Sequence, residues 1–411
     1  MSKDCTIQDV FHRFYSSFES THSISPAQRK AAYHIMNCKT GAFGVNVSVC
    51  EDCGCISVHY NSCRDRCCPM CQEFPKEKWV DARREDILDA PYFHVVFTVP
   101  EELNPIIYSN QKFLYAALYH AASDTLSELA ADSKYLGTDI GYICILHTWG
   151  STMNFHPHIH AIVLGGGLDV KNHWKDNGKD FFLPIKVISK TFRGKYMAEL
   201  KQLWENDRLE FHGSAAPYKN HYTFKELLNT CYAKEWIPYC KKPFDGAESV
   251  IRYLGKYTHR IAISNYRIKD MTESTVTFSA KDYKNQGLWK EITISGEEFI
   301  RRFLMHVPPK RFVRIRHYGL LSSRNKKKKI TLCRNILGCK KYISKLKDMD
   351  APAIIRLLYN KDIDCNKAED GLKTTPCSQC SLNTLAIDEP LEYVKLYLDG
   401  TMQMWVDAED A

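Results

Sequence analysis

Phe155-His156-Pro157-His158-Ile159-His160-Ala161-Ile162-Val163-Leu164 alternates imidazoles with other residues and then turns continuously apolar. In an extended strand successive side chains point to opposite faces, so His156, His158 and His160 share one side. Two imidazoles at i and i+2 can converge on one divalent ion. All three span about 13 Å, too far for a single ion to hold. The same pattern also suits a polar strand face carrying solvated histidines, and only residues elsewhere in the chain choose between the two readings.

Working outward, residues 142–149 form a second strand, and the six residues 150–155 between the two read as the turn of an antiparallel hairpin. The histidine strand is expected to end at Gly165-Gly166-Gly167. An earlier strand, residues 92–99, is stopped by Pro100 and followed by a mainly helical region, 101–133. Helices are expected over 189–232 and about 246–257, with β-like segments at 261–268, 274–279 and 290–295. The four lysines 326–329 read as a loop. Upstream, residues 1–37 are helical by the spacing of Phe11, Phe14, Tyr15 and Phe18, and residues 75–89 are helix-like. The pattern implies an α+β fold: an N-terminal helical and zinc-binding module over 1–90, a catalytic domain with a central antiparallel sheet flanked by helices over 91–335, and an acidic tail over 336–411.

The chain has 411 residues, 44% of them hydrophobic and 12% aromatic, which argues for packed cores rather than disorder. No stretch approaches eighteen consecutive apolar residues, and the start shows no secretory pattern, so a cytoplasmic protein without membrane contact is expected. Charge is uneven. Residues 251–330 carry 19 Lys/Arg against 6 Asp/Glu, whereas residues 351–411 carry 5 against 11. The basic block suits a phosphate backbone, although a solvated basic face has the same composition.

Nine of the seventeen cysteines fall within the first 71 residues, a clustering that favours metal thiolates over disulfides in a reducing compartment. Cys50-Glu51-Asp52-Cys53 and Cys68-Pro69-Met70-Cys71 form two C-x2-C knuckles, which together make one tetrahedral structural Zn²⁺ site. His34, Cys38, Cys63 and Cys67 are left as candidate ligands of a second zinc. Arg64 and Arg66, between the cysteines, suit phosphate contact. The late pair Cys377 and Cys380 is a lone knuckle.

Tyr253 and Tyr257, in Val250-Ile251-Arg252-Tyr253-Leu254-Gly255-Lys256-Tyr257-Thr258-His259-Arg260, are four residues apart and share a helix face. Core packing explains an apolar stripe of Val250, Tyr253, Leu254 and Tyr257 equally well. The functional alternative makes the phenols nucleophiles toward a phosphodiester. With a pKa near 10 a tyrosine needs a metal to polarise the phosphate, which the histidine strand would supply. Arg252, Lys256, His259 and Arg260 would grip the DNA strand or favour phenolate.

At this point the sequence resembles a family. His158-Ile159-His160 is similar to the His-hydrophobic-His signature of HUH single-strand nucleases, and the tyrosine helix resembles that of the two-tyrosine rolling-circle transposases of bacterial insertion sequences. Cys38-Lys39-Thr40, Tyr60-Asn61-Ser62-Cys63-Arg64 and Cys68-Pro69-Met70-Cys71-Gln72 resemble the family's N-terminal zinc-binding domain, with Cys67 where relatives often carry histidine. His94-Val95-Val96-Phe97-Thr98, Leu146-His147-Thr148-Trp149-Gly150, Lys242-Pro243-Phe244, residues 257–265 and Arg314-Ile315-Arg316-His317-Tyr318-Gly319-Leu320 resemble its catalytic signatures, so that residues 28–340 are covered.

The resemblance implies that His158 and His160 hold Mg²⁺ or Mn²⁺, with His147 or His94 as third ligand and His156 as a further ligand or DNA contact. It implies that Tyr253 and Tyr257 attack single-stranded DNA at element ends, giving a 5′-phosphotyrosine and a free 3′-hydroxyl, so that strands can be exchanged with target DNA. Arg314 and Arg316 are expected among the DNA-binding cations. A rolling-circle replication initiator or relaxase shares this chemistry. A non-catalytic zinc DNA-binding regulator would leave the histidine strand and tyrosine pair unexplained.

Overall fold

The computed structural model describes residues 5–49, 56–176, 183–236, 239–241, 249–251, 262–282 and 287–349, together with 253, 255, 354, 357, 402 and 404. The chain divides into two compact units. The first comprises Met1–Arg29 with Arg83–Ile343, and the second Lys30–Ala82 with Ser344–Ala411. Among the described residues no helix is long and apolar enough to cross a membrane.

The first unit is built on an antiparallel sheet. Its strands are β3 (Tyr92–Thr98), β4 (Asp139–Trp149), β5 (Phe155–Leu168), β6 (Trp174–Asp176), β7 (Tyr239–Lys241) and β11 (Ile315–Gly319), in the spatial order β11-β4-β5-β3-β7 with β6 beside β5. The β4–β5 hairpin is its centre, as the sequence pattern anticipates. Period-two alternation sorts its residues. Cys144, Leu146, Ile159, Ala161 and Val163 enter the main core with Val95 and Phe97 of β3. That face is covered by α4 (Gln111–Ala131), α5 (Ile185–Glu205) and α6 (His221–Ala233), which contribute Tyr115, Leu118, Phe192, Tyr196 and Phe224 to the same core. His147 and His158 stand opposite one another in register, as do Val96 and His160, so the histidines occupy the other face.

β5 does not stop at the three glycines. It runs through them to Leu168, with Gly166 paired to Asp176 and Gly167 to Lys175. Glycine is tolerated in this strand because neighbours close in on it: a Cβ on Gly167 would lie 2.3 Å from the Asp139 carbonyl oxygen.

A second, three-stranded sheet in this unit joins β8 (Ile268–Met271), β9 (Thr275–Asp282) and β10 (Leu288–Ser295) in the order β10-β9-β8. Strand pairing therefore starts at Ile268, after a 3₁₀ turn over Asn265–Arg267, instead of running from 261 as the sequence suggested. Its buried residues Val276, Phe278 and Ala280 pack under the helix Gly296–Leu304. The helix α1 (Ile7–Thr21) lies against that helix, Phe11 meeting Phe303 edge-on at 5.2 Å. α1 begins at a capping box in which Thr6 and Asp9 satisfy each other's amides.

The lysine run 326–329 is helical, the first turn of Lys326–Leu337, which corrects the loop reading. Four cations at a helix N-terminus oppose the macrodipole. Here Lys326 pairs with Asp86 at 2.8 Å and Lys329 with Asp139, so the charge is met by acids distant in sequence.

The second unit holds the antiparallel pair β1 (Val45–Val49) and β2 (Ile56–Tyr60) and most of the helices α2 (Pro26–Met36) and α3 (Glu73–Arg84). The Asp81 carboxylate of α3 accepts from the hydroxyl of Ser344 and the amides of Lys345 and Leu346 at 2.7–2.9 Å.

Candidate metal centres and tyrosine site

The thiols of Cys38, Cys63, Cys68 and Cys71 gather so that all four sulfurs lie within 4.8 Å of one another. Sulfurs bonded to zinc at about 2.3 Å in a tetrahedron stand roughly 3.8 Å apart, and the Cys63 and Cys71 Sγ atoms are separated by 3.8 Å. The Cys63 amide donates to Cys38 Sγ at 3.5 Å and the Asp65 amide to Cys63 Sγ at 3.4 Å, contacts that favour thiolate. The donor set fits a structural Zn²⁺.

Among the described residues this grouping differs from the partition read from spacing. Cys68 and Cys71 do form one knuckle, but their partners are Cys38 and Cys63, which the sequence reading had kept for a second ion. Cys50 and Cys53 lie outside the described residues. The other two members of the expected second set do not join a cluster among the described residues. His34 Nδ1 sits 3.1 Å from an Asp65 carboxylate oxygen, and the amide of buried Cys67 donates to the other oxygen of the same carboxylate at 2.8 Å. Arg64 and Arg66 are exposed on this module.

On the sheet of the first unit, one nitrogen each of His147, His158 and His160 falls within 4.8 Å of the other two. The geometry follows from the hairpin: His147 on β4 is in register with His158 on β5, and His160 is two residues along the same face. His158 Nδ1 donates to the carbonyl of His156 at 2.6 Å, which fixes its tautomer and leaves the Nε2 lone pair facing Nε2 of His160 at 2.9 Å. Burial pushes the His158 imidazole down to about 3 and His160 well below its ordinary value, so both rings are neutral near pH 7. Neutral imidazoles held by a backbone acceptor are metal ligands in form. His156 lies next to this trio, its ring 5.1 Å from that of His158, and is not part of it.

Ser249, Val250, Ile251, Tyr253 and Gly255 are helical, with Val250 and Ile251 buried. Tyr253 does not follow them into the core. Its hydroxyl lies 2.7 Å from His94 Nε2 and 2.8 Å from His160 Nδ1. His94 on β3 thus sits on the tyrosine side of His160, its Nε2 2.8 Å from His160 Nδ1, while His147 occupies the side shared with His158. The sequence could name both as neighbours of the strand but could not assign them to opposite edges of one ring. Tyr257, Arg252, Lys256, His259 and Arg260 lie outside the described residues. Arg314 stands 5.8 Å from the Trp149 ring, and Arg316 is stacked 4.1 Å over buried Tyr119.

The histidines open into a cleft of about 660 Å³, also lined by Glu101, Trp149, Phe155, Tyr266, Lys281 and Trp289. Sequence reasoning missed His306 behind it. This buried ring faces the Thr148 hydroxyl through Nδ1 at 3.1 Å and donates from Nε2 to the Met153 carbonyl at 3.0 Å, spanning the turn between β4 and β5.

Three regions of the sequence match known families. Residues 141–329 match a family described as "Putative transposase", residues 10–99 the transposase zinc-binding domain of the IS91 type, and residues 349–411 a family of unknown function. The chain is 40% identical over 334 residues to "Putative transposase y4qJ" of Sinorhizobium fredii, covering 81% of this chain and 84% of that protein. It is 28% identical over 296 residues to the transposase for insertion sequence element IS801 of Pseudomonas savastanoi pv. phaseolicola, covering 71% and 69%. No solved structure matches. With the zinc-binding domain, the antiparallel sheet and this extent of identity, the chain belongs to the IS91-type family of insertion-sequence transposases.

Proposed function

We propose that this transposase cuts single-stranded DNA at insertion-sequence ends with Tyr253 as nucleophile and transfers the strands through a 5′-phosphotyrosine in rolling-circle transposition. The observation that carries the reading is the Tyr253 hydroxyl within 2.8 Å of His160, a member of the histidine trio. His147, His158 and His160 would hold Mg²⁺ or Mn²⁺. When bound, that ion supplies charge neutralisation at the scissile phosphate.

The chain's own part follows from the hydrogen bonds. A His160 ring that keeps its Nε2 lone pair toward His158 carries its proton on Nδ1 and donates it toward the Tyr253 oxygen. The Tyr253 proton then points at His94 Nε2, the other atom within reach. In the attack the phenol oxygen forms the new P–O bond and its proton passes to His94. The P–O3′ bond breaks, and the departing oxygen takes up a proton from solvent water to become a free 3′-hydroxyl. The phosphodiester energy is kept in the tyrosine ester, so rejoining needs no ATP. Tyr257, one helical turn on in sequence, is proposed as the second nucleophile.

The test is adduct formation on a single-stranded end oligonucleotide with Mg²⁺ or Mn²⁺, using Tyr253→Phe, Tyr257→Phe and the double variant. Loss of the adduct in the double variant is expected. Adducts that persist in it would place the nucleophile elsewhere, and an absence of any metal-dependent nicking by the parent chain would leave only a DNA-binding role.

A further inference from the structure

The second sheet of the first unit presents two large aromatic rings to solvent beside the histidine cleft. Trp289 is 55% exposed and Tyr266 62%. Adjacent exposed rings that line a cleft form a contiguous surface of the kind that marks an interaction site. Both line the histidine cleft, and both also line a second hollow of about 340 Å³ with Lys269, Ser279, Lys290 and Glu291. The two hollows therefore share the rings as a common wall, and a chain leaving the histidines would pass over them.

Cations accompany the rings. The Lys281 ammonium is 5.4 Å from the Trp289 centroid and the Arg267 guanidinium 6.0 Å, while Lys269, Lys281 and Lys290 are exposed. Asp282 engages Lys290 at 2.9 Å, and Glu291 is the acid of the outer hollow. The platform is fastened to the catalytic hairpin. Arg267, itself buried, donates to the carbonyls of Ser279 and Ser151, and the Lys281 amide donates to the Ser151 hydroxyl at 2.6 Å. Ser151 belongs to the turn between the two histidine strands, so the rings hold a fixed distance from the histidines.

We propose that Tyr266 and Trp289, with Lys269 and Lys281, form a base-stacking platform for the single-stranded DNA flanking the cleaved phosphate. It rests on the reading of the histidine and tyrosine site given above. The occupant is single-stranded nucleic acid because only unpaired bases offer their faces to aromatic side chains, while the lysines follow the phosphates. A duplex hides those faces, and an acidic peptide would use the lysines but leave the rings idle.

The experiment measures binding of a fluorescein-labelled oligothymidylate to the zinc-loaded full chain carrying Tyr253→Phe, without added Mg²⁺ or Mn²⁺, so that cleavage does not contribute. Adding Trp289→Ala should weaken binding about tenfold or more, and Trp289→Phe should restore most of it. On a strand with abasic sites the Ala variant should lose nothing further. Lys281→Ala should lower the slope of log K against log salt by about 0.7. Binding by Trp289→Ala within twofold of its parent, or an equal loss on the abasic strand, overturns the platform. Failure of the chemistry reads differently: Trp289-dependent binding without adducts from the parent sequence leaves the platform standing and removes the nicking, and adducts with Trp289-independent binding do the reverse.

Discussion

The Tyr253 hydroxyl is 2.8 Å from Nδ1 of His160, whose other nitrogen faces His158 Nε2 at 2.9 Å. One imidazole thus serves two clusters, the candidate metal ligands on one edge and the candidate nucleophile on the other. His160→Ala should lose both Mn²⁺ binding, measured by calorimetry, and adduct formation. His94→Ala should keep Mn²⁺ affinity within about twofold and slow adduct formation by roughly 10²-fold, the scale of a positioned proton acceptor. Equal metal loss in both variants would show that His94 is a ligand.

The thiol grouping separates two partitions of the cysteines. Cys38→Ser and Cys63→Ser should each release zinc, counted per chain by atomic absorption, whereas Cys67→Ser should retain it. Retention of full zinc by Cys38→Ser would restore the pairing of the two C-x2-C knuckles.

His306 makes stability pH-dependent. Burial lowers its pKa to about 4 from an ordinary 6.5, so the folded state binds this proton less readily than the unfolded chain. Its contribution is complete above about pH 6.5 and is lost as pH falls toward 4, a change of about 3 kcal/mol. His306→Gln should cost about 2 kcal/mol at pH 7.5, and urea midpoints of parent and variant should converge on acidification. A gap that widens at low pH would contradict the neutral, hydrogen-bonded ring.

Gly167→Ala should destabilise the first unit by about 1–3 kcal/mol, because the new methyl meets the Asp139 carbonyl. Thermal unfolding measures it. An unchanged midpoint would mean that β4 and β5 separate there at little cost.

The parts of the fold that were legible in the sequence are those governed by local periodicity. The hairpin, the shared face of His158 and His160, and the apolar helices follow from side chains within a few residues of one another. Long-range closure was not legible. Cys38 joins Cys68 across some thirty residues, and C-x2-C spacing alone favoured the nearer knuckle. The glycine run read as a strand end because glycine weakens strands, yet here Trp174 and the Asp139 backbone require its lack of a side chain. The lysine run read as a loop because its acidic partners, Asp86 and Asp139, are far away in sequence. Of the site, His94 and His147 were both visible as candidates. Their division between tyrosine and histidine trio depends on where a helix from residue 249 onward places Tyr253.

The packing of α1 on Gly296–Leu304 has a consequence for synthesis. Ile7, Val10, Phe11, Phe14 and Phe18 are buried in the finished protein, but the helix that covers Phe11 and Phe14 is translated about 280 residues later. At ribosomal speeds that interval is on the order of tens of seconds. Throughout it the nascent chain carries a greasy amphipathic helix with no surface to close on. Apolar surface exposed for that long is open to misassembly until residues 296–304 emerge.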